Sequence, residues 1–209
     1  MTDFTCYLIS NKPEYYEPIR QSIIPYNLNF YSGSEIKSFA SLVNSCVEQC
    51  PTETIIMMSD KVMPTATNVE RTLELINLGY GFVGLMLFGF FGFKKELFRK
   101  IGPLDENFVS GGYEDHDFYL RLREANIGSY ISEEVIYNKR VSSYDYSINK
   151  PYYIEKWIPQ YNPRVSLFEN EHIRQIPEKP SKRDFGPSVP TTFLKWSDIY
   201  VKSKRALPL

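Results

Sequence analysis

The chain has no G-x-x-x-x-G-K-[ST] stretch and no G-x-G-x-x-G opening a helix after its first apolar run, so the P-loop and dinucleotide-binding classes lose their phosphate cradles. Charge of one sign is also missing: 24 Lys and Arg stand against 25 Asp and Glu, a formal net charge of -1. The electrostatic footprint of a nucleic-acid binder is therefore absent. Cysteine is scarce and odd in number, Cys6, Cys46 and Cys50. That pattern points away from a disulfide framework and towards reduced, buried thiols in a cytoplasmic setting. Met1-Thr2-Asp3-Phe4 carries no basic region followed by an apolar core, so no signal peptide is expected. The longest apolar run, Tyr80 to Phe93, holds four glycines and falls short of the ~20 residues a membrane helix needs. It reads as buried strand, with no membrane span.

A length of 209 residues suits one domain with a real core. Aromatics make up 15% of it, 16 Tyr and 14 Phe among them, enough to build a core and to offer stacking platforms for sugars or bases. Thr5-Cys6-Tyr7-Leu8-Ile9 fits a buried first strand, followed by a loop at Ser10-Asn11-Lys12 and a helix starting near Pro13. Asn27 to Tyr31 fits a brief second strand. Phe39, Leu42, Val43, Cys46, Val47 and Cys50 share one helical stripe, which Pro51 ends. Thr54 to Met58 is a continuous apolar run suited to a strand covered on both faces. Ser59-Asp60-Lys61 then stands where open parallel sheets place ligands.

A helix from about Asn68, capped by Gly79, leads into one or two strands over Tyr80 to Phe93. A short helix over Lys94 to Ile101 comes next. Gly111-Gly112-Tyr113-Glu114-Asp115-His116-Asp117 places three carboxylates at the start of a helix running to Ala125. Gly128 to Tyr137 reads as one more strand, and Tyr152 to Trp157 as a short helix. Alternating strands and helices predict an α/β fold with a mostly parallel central sheet flanked by helices. The texture then turns to prolines and scattered aromatics, so we expect a domain over 1–157 and a tail over 158–209. That tail either wraps the domain or is partly disordered.

The ordered set Gly92, Ile101-Gly102, Leu104-Asp105-Glu106, Gly111-Gly112, Glu114-Asp115 and Arg121, within Gly89 to Ile127, resembles the catalytic half of GT-A glycosyltransferases. The likeness is to the inverting family 2 enzymes and to the galactosyltransferase C-terminal module. Ser38-Phe39-Ala40 with Asn44 is similar to the helix ahead of that family's metal-binding Asp motif. Tyr152 to Trp157 is similar to a downstream aromatic and Lys-Trp segment. The resemblance implies a GT-A domain with a nucleotide half at about 1–64 and an acceptor half at about 80–140. It also implies transfer of a sugar from a nucleotide-diphosphate donor, UDP-linked for preference, to a glycan, lipid-linked or protein acceptor.

By match to the family's acid, Asp115 would be the general base, and the helix dipole favours its ionised form. Glu114 would bind acceptor hydroxyls, with Asp117 the runner-up for either role; capping of the helix is the bland alternative for all three. Asp60 matches the region that ligates a divalent cation, Mn²⁺ or Mg²⁺, but Lys61 stands where the family commonly has a second carboxylate. Lys61 could instead bring positive charge to the phosphates. His172 is the candidate late metal ligand, with an ordinary surface His as the other reading, and Lys139 or Arg140 could help to hold the diphosphate. Ser10, Asn11 and Lys12 are candidate nucleotide contacts, while Tyr31 either stacks on the base or packs into the core. The thinned motif at Asp60 leaves a second possibility, a catalytically inactive carbohydrate-binding or scaffold protein on the same fold. A nucleotidyltransferase is weaker, because its glycine-rich loop is not evident after Ile9.

Overall fold

The computed structural model describes residues 3–32, 38–109, 111–132, 134–137 and 148–157. The tail expected over 158–209, the candidate ligand His172, and Lys139 and Arg140 lie outside the described residues. Among those described, no helix is long and apolar enough to cross a membrane.

The chain runs β1 (Phe4–Ile9), a 3₁₀ turn at Pro13–Tyr15, α1 (Tyr16–Ser22), β2 (Leu28–Tyr31), α2 (Phe39–Gln49), β3 (Thr54–Ser59), β4 (Val62–Met63) and α3 (Ala66–Asn77). It continues with β5 (Phe82–Phe88), β6 (Phe90–Lys94), α4 (Glu96–Ile101), α5 (Glu114–Glu124), β7 (Ser129–Ile131), β8 (Ile136–Tyr137) and α6 (Lys150–Trp157). Six strands make one sheet in the order β2-β1-β3-β6-β5-β7, and β4 pairs with β8 apart from it. In the sheet, β1 lies parallel to β2 and β3, and β5 parallel to β7, while β6 is antiparallel to both its neighbours. The sheet is thus mostly parallel, with one reversed strand.

Side chains alternate across a strand, and here each alternate set meets a different layer of helices. Tyr7 and Ile9 of β1, Ile55 and Met57 of β3, and Phe91 and Phe93 of β6 join a core with Val43 and Cys46 of α2, Phe118 and Leu122 of α5, and Trp157 of α6. Cys6 and Leu8, Ile56 and Met58, and Phe90 join a second core with Ile19 of α1 and Val69 and Ile76 of α3. Both faces being covered explains why β1 and β3 read as unbroken apolar runs. All three cysteines are buried thiols, and burial pushes Cys6 up to about 12.

Local signals account for several boundaries. Ser38 caps α2, its Oγ accepting from the Ser41 N–H at 3.1 Å, and Gly79, at φ 100°, ends α3 in the left-handed conformation that glycine tolerates. At Gly92 an added Cβ would lie 2.5 Å from Thr72 Cγ2, so glycine is what lets α3 sit close against β6. One expectation is corrected. Residues 128–137 form two strands: β7 pairs with β5 as far as Ile131 opposite Gly84, the N–H groups of Glu134 and Val135 then converge on the one Leu85 carbonyl, and the chain goes on to pair with β4.

Candidate active site

Ser10 and Asp60 follow directly on β1 and β3, whose last residues, Ile9 and Ser59, are partners in register. Ser10 Oγ donates to Asp60 Oδ2 at 3.1 Å and accepts from the Lys12 N–H at 3.0 Å. The Ser10 N–H bonds the Tyr31 carbonyl at 3.2 Å, which draws in the end of β2 as well. Ser59 Oγ accepts from the Lys61 N–H at 3.3 Å and fixes the turn that presents Asp60 and Lys61. Asn11 and Lys12 are exposed, and Asp60 and Lys61 half-buried. Tyr31 packs edge-on against Tyr7 and bonds Gln49 through its hydroxyl at 2.9 Å. It is half-buried and packs against the edge of the core.

Within electrostatic reach of Lys61 is the N-terminus of α5. The backbone reaches it through Gly112 at φ 98° and Tyr113 at φ 72°. The left-handed region suits glycine and is strained for a bulky residue, so Tyr113 must be held by its surroundings. Its ring lies 5.0 Å from Tyr153 and 5.3 Å from His116.

Glu114, the first residue of the helix, is only 6% exposed. Its Oε2 has no hydrogen-bond partner among the described residues. Burial, and after it the neighbouring charge of Asp115, pushes the Glu114 carboxyl up to about 8, against opposing pulls from the N–H groups of Gly112 and Glu114 and from Lys61. Lys61, on the turn after β3, is therefore close enough to act electrostatically on the first residue of α5. Asp115 is half-buried and accepts from the His116 N–H at 2.9 Å. Burial lowers the pKa of His116 and Asp115 opposes that shift, which favours neutral imidazole at neutral pH.

Asp117 requires a correction. It is fully buried, and its carboxylate takes Lys156 Nζ at 2.6 Å, Trp157 Nε1–H at 2.8 Å and Arg121 Nε at 3.0 Å. Burial would raise its pKa, but the charges of Lys156 and Arg121 and the bonds from Lys156 and Trp157 outweigh it and hold it below the ordinary value. Asp117 joins α5 to α6 inside the core and does not face the site. Lys156 also bonds Asp105 Oδ2 at 2.6 Å, and Tyr152 donates to the same oxygen at 2.7 Å. Asn44 of α2 completes the frame, bonding the Leu104 carbonyl and Glu106 Oε1, each at 2.8 Å.

The structure thus joins Ser10 to Asp60, sets Lys61 within electrostatic reach of Glu114 beside Asp115, leaves Tyr31 half-buried at the end of β2, and turns Asp117 into the core. Asp105, Asn149 and Lys156 were not foreseen as parts of its frame. The Lys-Trp pair was the one hint of an ion at 156, and nothing in the sequence marked Asn149.

A divalent cation at Asp60 would find one carboxylate, already bonded by Ser10, with a lysine next in sequence. Among the described residues no three His, Cys, Asp or Glu side chains gather as a metal site. Among the described residues Asp60 is thus the one candidate carboxylate ligand on this edge, and no step is derived through a cation.

No protein-family model matches the chain, and no curated protein matches it. Among solved structures it is similar to a mutant Drosophila β-1,4-galactosyltransferase 7 in complex with manganese, UDP-Gal and xylobiose, at 15% identity and a TM-score of 0.45, covering 60% of this chain and 63% of that one. It is also similar to the catalytic domain of Drosophila β-1,4-galactosyltransferase 7 in complex with xylobiose, at 16% identity and a TM-score of 0.44, with the same coverage. The match thus spans less than two thirds of each solved chain.

Proposed function

We propose that the chain is a glycosyltransferase that moves a sugar from a nucleotide-diphosphate donor, UDP-linked for preference, to an acceptor hydroxyl with inversion. The observation that carries this reading is the placement of Lys61 within electrostatic reach of Glu114. It joins the sheet edge expected to hold a diphosphate to the helix start expected to hold an acceptor.

In the reaction, Asp115 takes the proton of the acceptor hydroxyl as that oxygen bonds the anomeric carbon of the donor. The bond from that carbon to the diphosphate oxygen breaks, and its electron pair leaves with the nucleoside diphosphate. Lys61 offsets the negative charge that grows on the leaving group. Near neutral pH Glu114 holds its proton in most molecules, and its O–H can donate to an acceptor oxygen. Glu114, kept protonated by its burial, is then the hydrogen-bond donor and Asp115 the base, two carboxyls in unlike surroundings.

The test is a panel of nucleotide sugars with nucleotide release followed with and without Mn²⁺. We expect one donor class to be turned over, and Asp115→Asn to lower kcat by about 10²–10⁴-fold. If no donor is bound or hydrolysed, or if Asp115→Asn matches the wild type, the reading fails. The single carboxylate at Asp60 favours a second reading, a carbohydrate-binding or scaffold protein without catalysis. Calorimetry that finds sugar binding but no nucleotide-sugar affinity would select it.

A further inference from the structure

We infer that Asn149 is a positioning residue for this site: its side chain holds the loop that carries Glu114 and Asp115, and it touches neither donor nor acceptor. The inference rests on the transfer reading for its functional meaning, and on geometry for its mechanism.

Asn149 lies just before α6, far along the chain from the loop, and is only 2% exposed. Its Oδ1 accepts from the Val109 N–H at 3.0 Å. Its Nδ2 donates to the carbonyls of Val109 at 2.9 Å, Gly111 at 3.1 Å and Gly112 at 2.9 Å. An amide nitrogen has two hydrogens, so they are shared among three acceptors, and its donors are all in use. A buried amide in that state leaves no donor over for a ligand. What it does is satisfy the backbone of a loop that makes no strand or helix bonds there. Without it, the buried carbonyls of Gly111 and Gly112 would lose this donor.

The grip is transmitted in both directions. The Asn149 carbonyl accepts from the Tyr153 N–H at 3.0 Å, which ties the residue to the first turn of α6. The Tyr153 ring in turn lies on Tyr113, the left-handed residue that opens α5. Farther along α6, Lys156 and Trp157 hold Asp117 on the next turn of α5. Asn149 fixes the carbonyl of Gly112 while the N–H of the same residue approaches the Glu114 carboxyl. A shift of the clamp would therefore shift a donor to Glu114. Displacement of catalytic groups by about 1 Å costs on the order of 100-fold in rate.

The experiment compares wild type with Asn149→Ala and Asn149→Asp; the aspartate keeps the size and one acceptor but loses the amide donors. Amide hydrogen exchange at residues 109 and 111–113, thermal unfolding, and kcat and donor KM are read for each. We expect exchange in that loop to quicken by about tenfold or more while the β1 and β3 amides stay protected. We also expect kcat to fall about 10–100-fold with donor KM within about twofold. Unchanged loop exchange would overturn the inference, and so would faster exchange with unchanged kcat. If neither variant folds, the wild type decides: the Val109 amide, protected only through a side chain, must open together with the amides of α6, and independent opening would overturn the clamp. A wild type that turns over no donor removes the transfer reading, and the clamp is then judged on exchange alone.

Discussion

Glu114→Gln tests the electrostatics of the site without requiring a substrate. The change keeps the shape of the side chain and removes its titration. In the wild type the carboxyl is raised from 4.5 to about 8 by burial and then by Asp115, so the folded state keeps a proton that the unfolded chain gives up. Below pH 4.5 both states are protonated and the group does not affect stability. As pH rises from there towards about 8, the unfolded state is increasingly favoured, by up to about 1.4 kcal/mol per pH unit. The interval sets a ceiling of about 5 kcal/mol, beyond which the folded carboxyl also ionises and the curve flattens. Glutamine does not titrate, so the variant should gain on the wild type steadily through this window. Urea unfolding of both proteins at intervals from about pH 5 to 8.5 gives the difference directly, since other titrating groups cancel. A difference that changes by less than about 0.3 kcal/mol per pH unit would show that Glu114 is solvated and ionised, and would refute the reasoning.

Lys156→Met leaves Asp105 and Asp117 buried without their shared cation and should cost about 3–5 kcal/mol, seen as a loss of about 10 °C in Tm. Gly92→Ala drives a methyl towards Thr72 Cγ2 and should cost about 1–3 kcal/mol; the double variant with Thr72→Ser, which deletes that methyl group, should recover most of the loss in a double-mutant cycle. Asp117, with its pKa held below 3.8, stabilises the fold above that value. That contribution should be lost as pH falls through the folded value, and acid unfolding of Asp117→Asn should lack this component.

Much of the fold could be read from the sequence where one physical rule acted alone. The stripe from Phe39 to Cys50 is α2 because the spacing of its apolar residues leaves no other face to bury. β1 and β3 read as covered on both sides because both alternate sets are apolar. The break between β7 and β8 could not be read, since it depends on two N–H groups converging on the Leu85 carbonyl and on a partner strand, β4, far away in the chain.

Asp117 was open to a better reading. Residues two apart on a helix point roughly 200° away from each other, so an Asp115 facing the site turns Asp117 towards the core. The i,i+4 relation of Asp117 to Arg121 indicates a pair rather than a catalytic role. The same geometry puts Glu114, three residues before Asp117, on the inward side, which is why it is buried while Asp115 stays half-exposed. Asn149 had no such signal, because a side-chain amide bonding distant carbonyls leaves no periodic trace.

Two acids on neighbouring turns of one helix receive opposite treatment. Asp117 has three donors and two cations, and its charge stabilises the fold. Glu114 has a carboxylate oxygen without a partner and a like charge beside it, and it destabilises the fold as pH rises. Packing alone does not require this arrangement, since glutamine would fill the same space without the charge. A carboxyl with one oxygen left without a partner, at the meeting point of a left-handed turn, a helix start and a lysine from the end of β3, is where folding and function would be expected to conflict. The pairs around Asp117 supply rigidity on the α6 side of α5, and that rigidity allows the strain on the Tyr113 side to persist.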